Sequence, residues 1–345
     1  MPEEFATKYR KTAFAVVGCG HIGKRHAEMI ARHPEAEVVA LIDIRAKEAL
    51  QLQPEIDKTP FFSSLEAFLA SNIPCDVVNI CTPNGLHVQQ GLACLDKGLH
   101  VVVEKPMALH KTDAQKLIEK AMDSGKEIFP VMQNRYSPPS VWAKELVSSG
   151  RLGKIYLVQL NCFWNRDARY YKTGSWHGTK NLDGGTLFTQ FSHFIDILYW
   201  LFGDIQNIQT RLQDFNHQHL TEFEDTGTVS FDFVKGGMGL ISFSTTIYGQ
   251  NMETGITIIA ENGSIKIGGQ YMDKVEYCHV KDYELPALPP TPPGNDYGGY
   301  KGSAQNHGRI INNVIDVLHG KATVTTKAED GLKVVDIIER IYGAA

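Results

Sequence analysis

The stretch FAVVGCGHIG, residues 14–23, confines the first third of this chain to a narrow set of folds. A β-rich run, Thr12–Val17, is followed by Gly18-Cys19-Gly20-His21-Ile22-Gly23 and then by a helical stretch over about residues 22–33. GxGxxG between a strand and a helix has a physical meaning at each glycine. Gly18 permits the tight turn, Gly20 lets the backbone approach a pyrophosphate, and Gly23 lets the helix pack closely. The helix N-terminus adds free N–H groups and the positive end of the dipole. Lys24 and Arg25 stand in the first turn with no acid before Glu28. That is the wrong polarity for an empty helix end and the right one for a bound dianion.

Further strand-like runs at Glu37–Asp43, Asp76–Ile80, His100–Val103 and Glu127–Met132 alternate with helical segments over 64–70, 85–97 and 111–124. Short apolar strands separated by helices predict a parallel, doubly wound α/β sheet covered on both faces. The pattern changes after Gln133. A helix over 140–149 is followed by strand-like runs at 154–163, 205–212, 224–233, 238–246, 254–260 and 264–267, several joined by turn residues such as VKGGMG and AENGS. One helix, Thr189–Phe202, interrupts them and stops at Gly203. PALPPTPPG at 286–294 reads as an extended crossing, and two helices over 303–319 and 328–342 close the chain. The expectation is a nucleotide-binding domain over residues 1–133 and a substrate and assembly domain over 134–345. The latter is α+β with a large, mostly antiparallel open sheet.

A chain of 345 residues has room for two cores. Its net charge of -5 argues against a nucleic-acid surface as the main business and leaves room for a local basic patch. Six cysteines without a CxxC pair speak against a structural metal or a disulfide framework, and fit a reducing compartment. No metal site is expected. No apolar run is long enough to span a bilayer, and the opening residues carry no signal-like apolar region. The expected location is the cytoplasm.

Asp43 ends the second strand, at the distance where a carboxylate accepts both adenosine ribose hydroxyls and repels a 2′-phosphate. This favours NAD over NADP, although Arg45, two residues on, is also of the type that meets that phosphate. CTPNGLH at 81–87 follows a strand and so lies at the carboxyl edge of the sheet, where such folds bind ligands. Lys105 ends another buried strand, inside Glu104-Lys105-Pro106. It reads either as a desolvated ammonium that donates to a substrate oxygen or as a solvated rim lysine beside Glu104.

GCGHIG, TPNGLH, EKP and a GG break followed by a helix bearing HxxD together resemble the Gfo/Idh/MocA oxidoreductases over nearly the whole chain. The resemblance implies an N-terminal Rossmann domain and a C-terminal domain whose open sheet makes dimer or tetramer contacts. It also implies a reactive pair, Lys105 and His193. The expected cofactor contacts are Gly18, Gly20, His21, Ile22, Gly23, Asp43, Ile44, Arg45, Thr82, Pro83, Asn84, His87, Glu104, Lys105 and Gln133.

In TQFSHFIDILYWLF, residues 191, 194, 195, 198, 201 and 202 form an apolar stripe. His193 stands beside that stripe, on a flank with Thr189 and Asp196. Oxidation of a secondary alcohol needs a base for the hydroxyl proton while hydride leaves for the nicotinamide. His193 suits the base and Lys105 the oxygen ligand, and the two roles are exchangeable at this level. Many of these oxidoreductases carry aspartate four residues before the histidine. Here Thr189 stands there, followed by Gln190.

The segment at 164–180 holds Arg166, Arg169, Lys172 and Lys180 against the single acid Asp167. It reads as a carboxylate or phosphate site or as a solvated basic loop. Arg135 in QNRY is a further candidate anion contact. The expected substrate contacts are Lys105, Arg135, Arg166, Tyr171, Trp176, Thr189, Gln190 and His193. YYKTGSWHGTKNLDGG also resembles a subgroup that oxidises the 3-hydroxyl of UDP-N-acetylglucosaminuronate. The functional expectation is therefore NAD-dependent oxidation of a ring hydroxyl on a sugar or sugar nucleotide. A free-sugar or cyclitol dehydrogenase and a non-catalytic NAD-binding sensor are the alternatives.

Overall fold

The computed structural model describes residues 10–172, 175–296 and 300–345; of the basic segment, residues 173 and 174 therefore lie outside it. Six strands form the first sheet: β1 (Thr12–Val17), β2 (Ala36–Ile42), β3 (Phe61–Phe62), β4 (Val77–Ile80), β5 (His100–Val103) and β6 (Ile128–Pro130). Their order is β3-β2-β1-β4-β5-β6 and every pairing is parallel. Winding reverses between β1 and β4, and the crevice beyond their carboxyl ends is where such a sheet accepts a ligand. β1 and β4 are buried along their whole length, as strands covered on both faces must be.

Seven strands form the second sheet: β7 (Ile155–Phe163), β8 (Ile205–Gln213), β9 (Thr226–Phe233), β10 (Met238–Ser244), β11 (Glu253–Ala260), β12 (Gly263–Gly268) and β13 (Lys274–Val280). The order is β13-β12-β11-β7-β10-β9-β8, antiparallel except for β7 with β10. Val158, Leu160 and Cys162 of β7 face the core while intervening residues face outward. Strand β13 was not foreseen. It is an edge strand, mostly exposed, so it carries no apolar alternation to read.

The closing helices return to the first sheet. In His307–Leu318, Ile310, Ile311, Val314 and Ile315 join Phe14, Val16 and Ile30 in one buried cluster. Helix Ala328–Gly343 buries Val334, Val335, Ile338 and Ile341 in the larger core shared with both sheets. The helix expected over Thr189–Phe202 starts differently. Leu187–Phe191 winds as a π turn before the regular helix Ser192–Phe202. Gly184 and Gly185 lead into it at φ +91° and +133°, and a Cβ on Gly185 would lie 2.4 Å from the Tyr342 hydroxyl. The chain therefore enters this helix by a path that side chains at 184 and 185 would obstruct.

Candidate active site

A cleft opens over the carboxyl ends of β1, β4 and β5 and is roofed by residues of the second half of the chain. The Rossmann-type sheet contributes His21, Ile22, Thr82, Asn84, Glu104 and Lys105. The turn after β6 adds Gln133, and the later elements add Arg166, Trp176, Thr189, Gln190 and His193.

Lys105 is carried to the rim by β5 and donates to the main-chain carbonyl of Thr189 at 2.6 Å. Burial lowers its pKa, against the opposing charges of Glu104 and Asp183. His193 is 4% exposed, and its buried Nδ1 has no hydrogen-bond partner among the described residues. Burial, then the Lys105 charge, hold its pKa well below the ordinary imidazole value. A neutral imidazole and an ammonium with further N–H groups thus share one cleft.

Glu104 lies beneath them. Its carboxylate accepts from His26 Nε2 at 3.0 Å, pairs with His307 Nε2 at 3.5 Å, and accepts the main-chain N–H of Lys105 at 3.2 Å. Burial opposes its ionisation, but the two imidazoles outweigh that and keep it well below the usual range. Donor atoms of His26, Glu104 and His307 all lie within 4.8 Å of one another, a grouping of metal-ligand types that spacing in the chain does not reveal. The Asn79 amide at 2.8 Å from His26 Nδ1, with the two imidazole–carboxylate contacts, accounts for this trio as a hydrogen-bonded network.

Arg166 is 2% exposed. It donates to the Gln190 side chain at 2.7 Å and lies over the rings of Trp164, Tyr170 and Tyr300. The rest of the basic segment turns outward. Arg169 pairs with Asp167 at 2.8 Å, and Lys172 and Lys180 are exposed.

Several expected contacts lie outside the cleft lining. Arg135 is buried against Asp196, with Nε at 2.9 Å from its carboxylate, and its Nη1 meets Asp330 at 2.7 Å, so this cation is committed to the core. His87 is fully buried, its ring nitrogens at 2.8 Å from the Pro106 carbonyl and 2.9 Å from the Thr82 carbonyl, where it ties two strand-end loops together. Tyr171 packs inward on His217 and Phe223. Its neighbour Tyr170 lines the cleft instead and accepts from Gln190 Nε2 at 2.9 Å. Pro83 sits in the loop before the Asn84–Leu86 turn, outside the lining. His177, Tyr300, Ser303 and His307 also line the cleft. Only His177 carried a local signal, its place beside Trp176, on which it now stacks at 3.9 Å.

The glycine turn fits a dinucleotide. Gly18 has φ +85°, and a Cβ there would lie 2.6 Å from the Cys81 carbonyl oxygen. A Cβ on Gly23 would lie 1.8 Å from the Gly18 carbonyl oxygen, so the turn itself demands this glycine. Gly20 faces open space, with nothing among the described residues within 4 Å of its Cβ position, which leaves its backbone approachable. Helix His21–Arg32 has no side-chain cap and no acid in its first turn. At the end of β2, Asp43 accepts from the Cys19 N–H at 2.7 Å and from Arg45 Nε and Nη2 at 2.9 and 2.8 Å. Arg45 is thereby folded onto the acid rather than held toward a 2′-phosphate. Ile44 beside it is 92% exposed, a free apolar surface for an adenine ring.

This arrangement is that of an NAD-binding oxidoreductase acting on CH–OH groups. The chain matches the sequence pattern of the oxidoreductase family with an NAD-binding Rossmann fold over residues 12–131, and that of the GFO/IDH/MocA C-terminal domain over residues 141–266. It belongs to the Gfo/Idh/MocA family. Among solved structures it resembles the WlbA dehydrogenase of Bordetella pertussis, in complex with NADH and UDP-GlcNAcA. That match has TM-score 0.86 and 33% identity, covering 97% of each chain. The WlbA dehydrogenase of Chromobacterium violaceum, in complex with the same two ligands, matches with TM-score 0.86 and 31% identity, covering 98% of this chain and 94% of that one. Among curated relatives, the inositol 2-dehydrogenase of Rubrobacter xylanophilus is 24% identical over 265 residues, 74% of this chain and 71% of that protein. Among the described residues no helix is long and apolar enough to cross a membrane.

Proposed function

We propose that this protein oxidises a ring hydroxyl of an anionic, nucleotide-linked sugar of the UDP-GlcNAcA type, with Lys105 and His193 as the reactive pair. The observation that carries the reading is that these two side chains, from different parts of the fold, line one cleft beside the dinucleotide turn. NAD, when bound, supplies the hydride acceptor. His193 is neutral and its Nδ1 is buried, so Nε2 is left to accept the hydroxyl proton as the carbonyl forms. The Lys105 ammonium, resting on the Thr189 carbonyl, donates to the same oxygen and stabilises its developing negative charge. The balance is one secondary alcohol and NAD giving one ketone, NADH and a proton. Arg166 adds a buried positive charge to the same lining and suits an acidic substituent on the sugar. The two WlbA dehydrogenases, similar along nearly the full chain, support that substrate class.

Formation of NADH absorbance with UDP-GlcNAcA, UDP-GlcNAc and myo-inositol tests the reading. The acidic nucleotide sugar is expected to have the highest kcat/KM. Arg166→Gln is expected to cut its preference over the neutral sugar by about tenfold or more, the size of a lost charge-assisted bond. Equal or better turnover of the free cyclitol would transfer the protein to the polyol class.

We further propose that copies associate through the outward face of the second sheet. Met238, Leu157 and Ile259 lie in one row across β10, β7 and β11, with Met238 59% and Ile259 41% exposed. Light scattering is expected to give a multiple of the chain mass, and the pair Met238→Glu and Ile259→Glu to reduce it to one chain. The six cysteines are all free thiols, which fits a reducing compartment such as the cytoplasm.

A further inference from the structure

Asp183 lies in the turn before the two glycines, 1% exposed, and the reaction outlined above makes no use of it. A buried carboxylate needs strong partners. One of its oxygens takes the Thr189 hydroxyl, and the other accepts the Gly178 N–H at 2.7 Å. Its main-chain carbonyl accepts the Asn84 amide at 2.8 Å, and the same amide lies 2.7 Å from the Thr189 hydroxyl. A hydroxyl has one hydrogen to give. Thr189 therefore donates to the carboxylate and accepts from Asn84, which fixes its side chain from two directions. Its main-chain carbonyl is the group on which the Lys105 ammonium rests, at 2.6 Å.

The charged and titratable groups acting on Lys105 are Glu104, Asp183 and Arg166, while His87, His177 and His193 feel its charge in turn. Of the two acids, Glu104 is occupied by His26 and His307. Asp183 is left as the acid whose other contacts are a hydroxyl and main-chain N–H groups.

We infer that Asp183 is the positioning carboxylate of Lys105: it clamps Thr189, so fixing the carbonyl that seats the ammonium, and its charge favours the ammonium form. Burial raises the Asp183 pKa to about 6, against the Thr189 hydroxyl, the Gly178 N–H and Lys105. The carboxylate is thus ionised above that pH. The inference deepens the proposed role of Lys105 and rests on it.

The test reads Lys105 directly. In protein labelled with 13Cε-lysine, the Lys105 signal is the one absent from Lys105→Arg. In Asp183→Asn its titration midpoint is expected to fall by about one pH unit or more, because an opposite charge has been removed. Asp183→Glu is expected to return most of that shift. With UDP-GlcNAcA as substrate, Asp183→Asn is expected to lower kcat by about tenfold or more while KM changes by less than about threefold. Thr189→Val keeps the carboxylate and removes the clamp. It is expected to lower kcat with the midpoint nearly unchanged, and it serves if the Asn variant does not fold. An unshifted midpoint in Asp183→Asn, or unchanged kcat in Thr189→Val, would overturn the inference. If the wild-type protein turns over no sugar, the proposed reaction falls, and the titration still decides on Asp183.

Discussion

Lys105→Met is expected to lower turnover by about 10²–10³-fold or more while NAD binding, read by protein fluorescence, stays within about threefold. The two effects separate because the groups belong to different places. The dinucleotide turn at Gly18–Gly23 and the acid at Asp43 follow β1 and β2, whereas Lys105 ends β5 and reaches across to Thr189. Methionine keeps the length and the burial of the stem but has no donor for a developing alkoxide. His193→Asn is expected to cost about 10²–10⁴-fold, the contribution of a positioned base. The pH profile gives an independent reading. Burial and the Lys105 charge hold the His193 pKa well below the ordinary imidazole value of about 6.5. The neutral form is required, so the base is lost only as pH drops through that depressed value, while protonation of Asp183 near pH 6 adds a separate step above it. An acid limb at or above about 6.5 that persists in Asp183→Asn would count against His193 as the base. On the alkaline side the ammonium is required. Burial lowers its pKa, so that limb lies below the usual lysine value of about 10.4. Equal activity in Lys105→Met would remove the reactive pair altogether.

Five of the six strands of the first sheet were legible because their determinants are local, and the two-residue β3 was not. β1 begins and ends at Thr12 and Val17 as the apolar run does, and β5 occupies His100–Val103 between a helix stop and EKP. Glycine turns and strand-end motifs also pointed to the carboxyl edge, since in an open parallel sheet that edge follows from topology alone. What was not legible depends on contacts far apart in the chain. His307 meets Glu104 only because helix His307–Leu318 packs back on the first sheet. Asp183 matters through a hydroxyl six residues on and through its own carbonyl, which accepts the Asn84 amide, and neither spacing forms a known pattern. Tyr170, not the expected Tyr171, lines the cleft, and adjacent residues in an irregular segment have no period to sort them. The π turn at Leu187–Phe191 likewise has no apolar signature of its own.

Arg135, expected as an anion contact, pairs instead with two carboxylates, and this network yields the largest expected change in stability. Asp196→Ala is expected to destabilise the fold by about 3–5 kcal/mol, the cost of leaving a buried charge without its partner. The Arg135 side chain is 5% exposed and that of Asp196 1%. Two guanidinium nitrogens, Nε and Nη2, reach Asp196 at 2.9 and 2.6 Å, while Nη1 reaches Asp330 at 2.7 Å. Burial opposes the charge on Arg135, but Asp196 and Asp330 outweigh it and hold its pKa above the usual value. The pair ties the turn Gln133–Tyr136 to helix Ser192–Phe202, and Asp330 extends the tie to helix Ala328–Gly343. Asp330→Ala should cost less, since that side chain is 26% exposed and water replaces part of its role. The double variant Arg135→Met with Asp196→Leu removes both charges together and is expected to recover most of the loss in denaturant midpoint, because well-packed apolar groups replace a buried pair at little cost. KM for UDP-GlcNAcA then separates the two readings of Arg135. A core cation leaves KM near its wild-type value in the double variant. A substrate anion contact would raise KM by about tenfold while stability recovers.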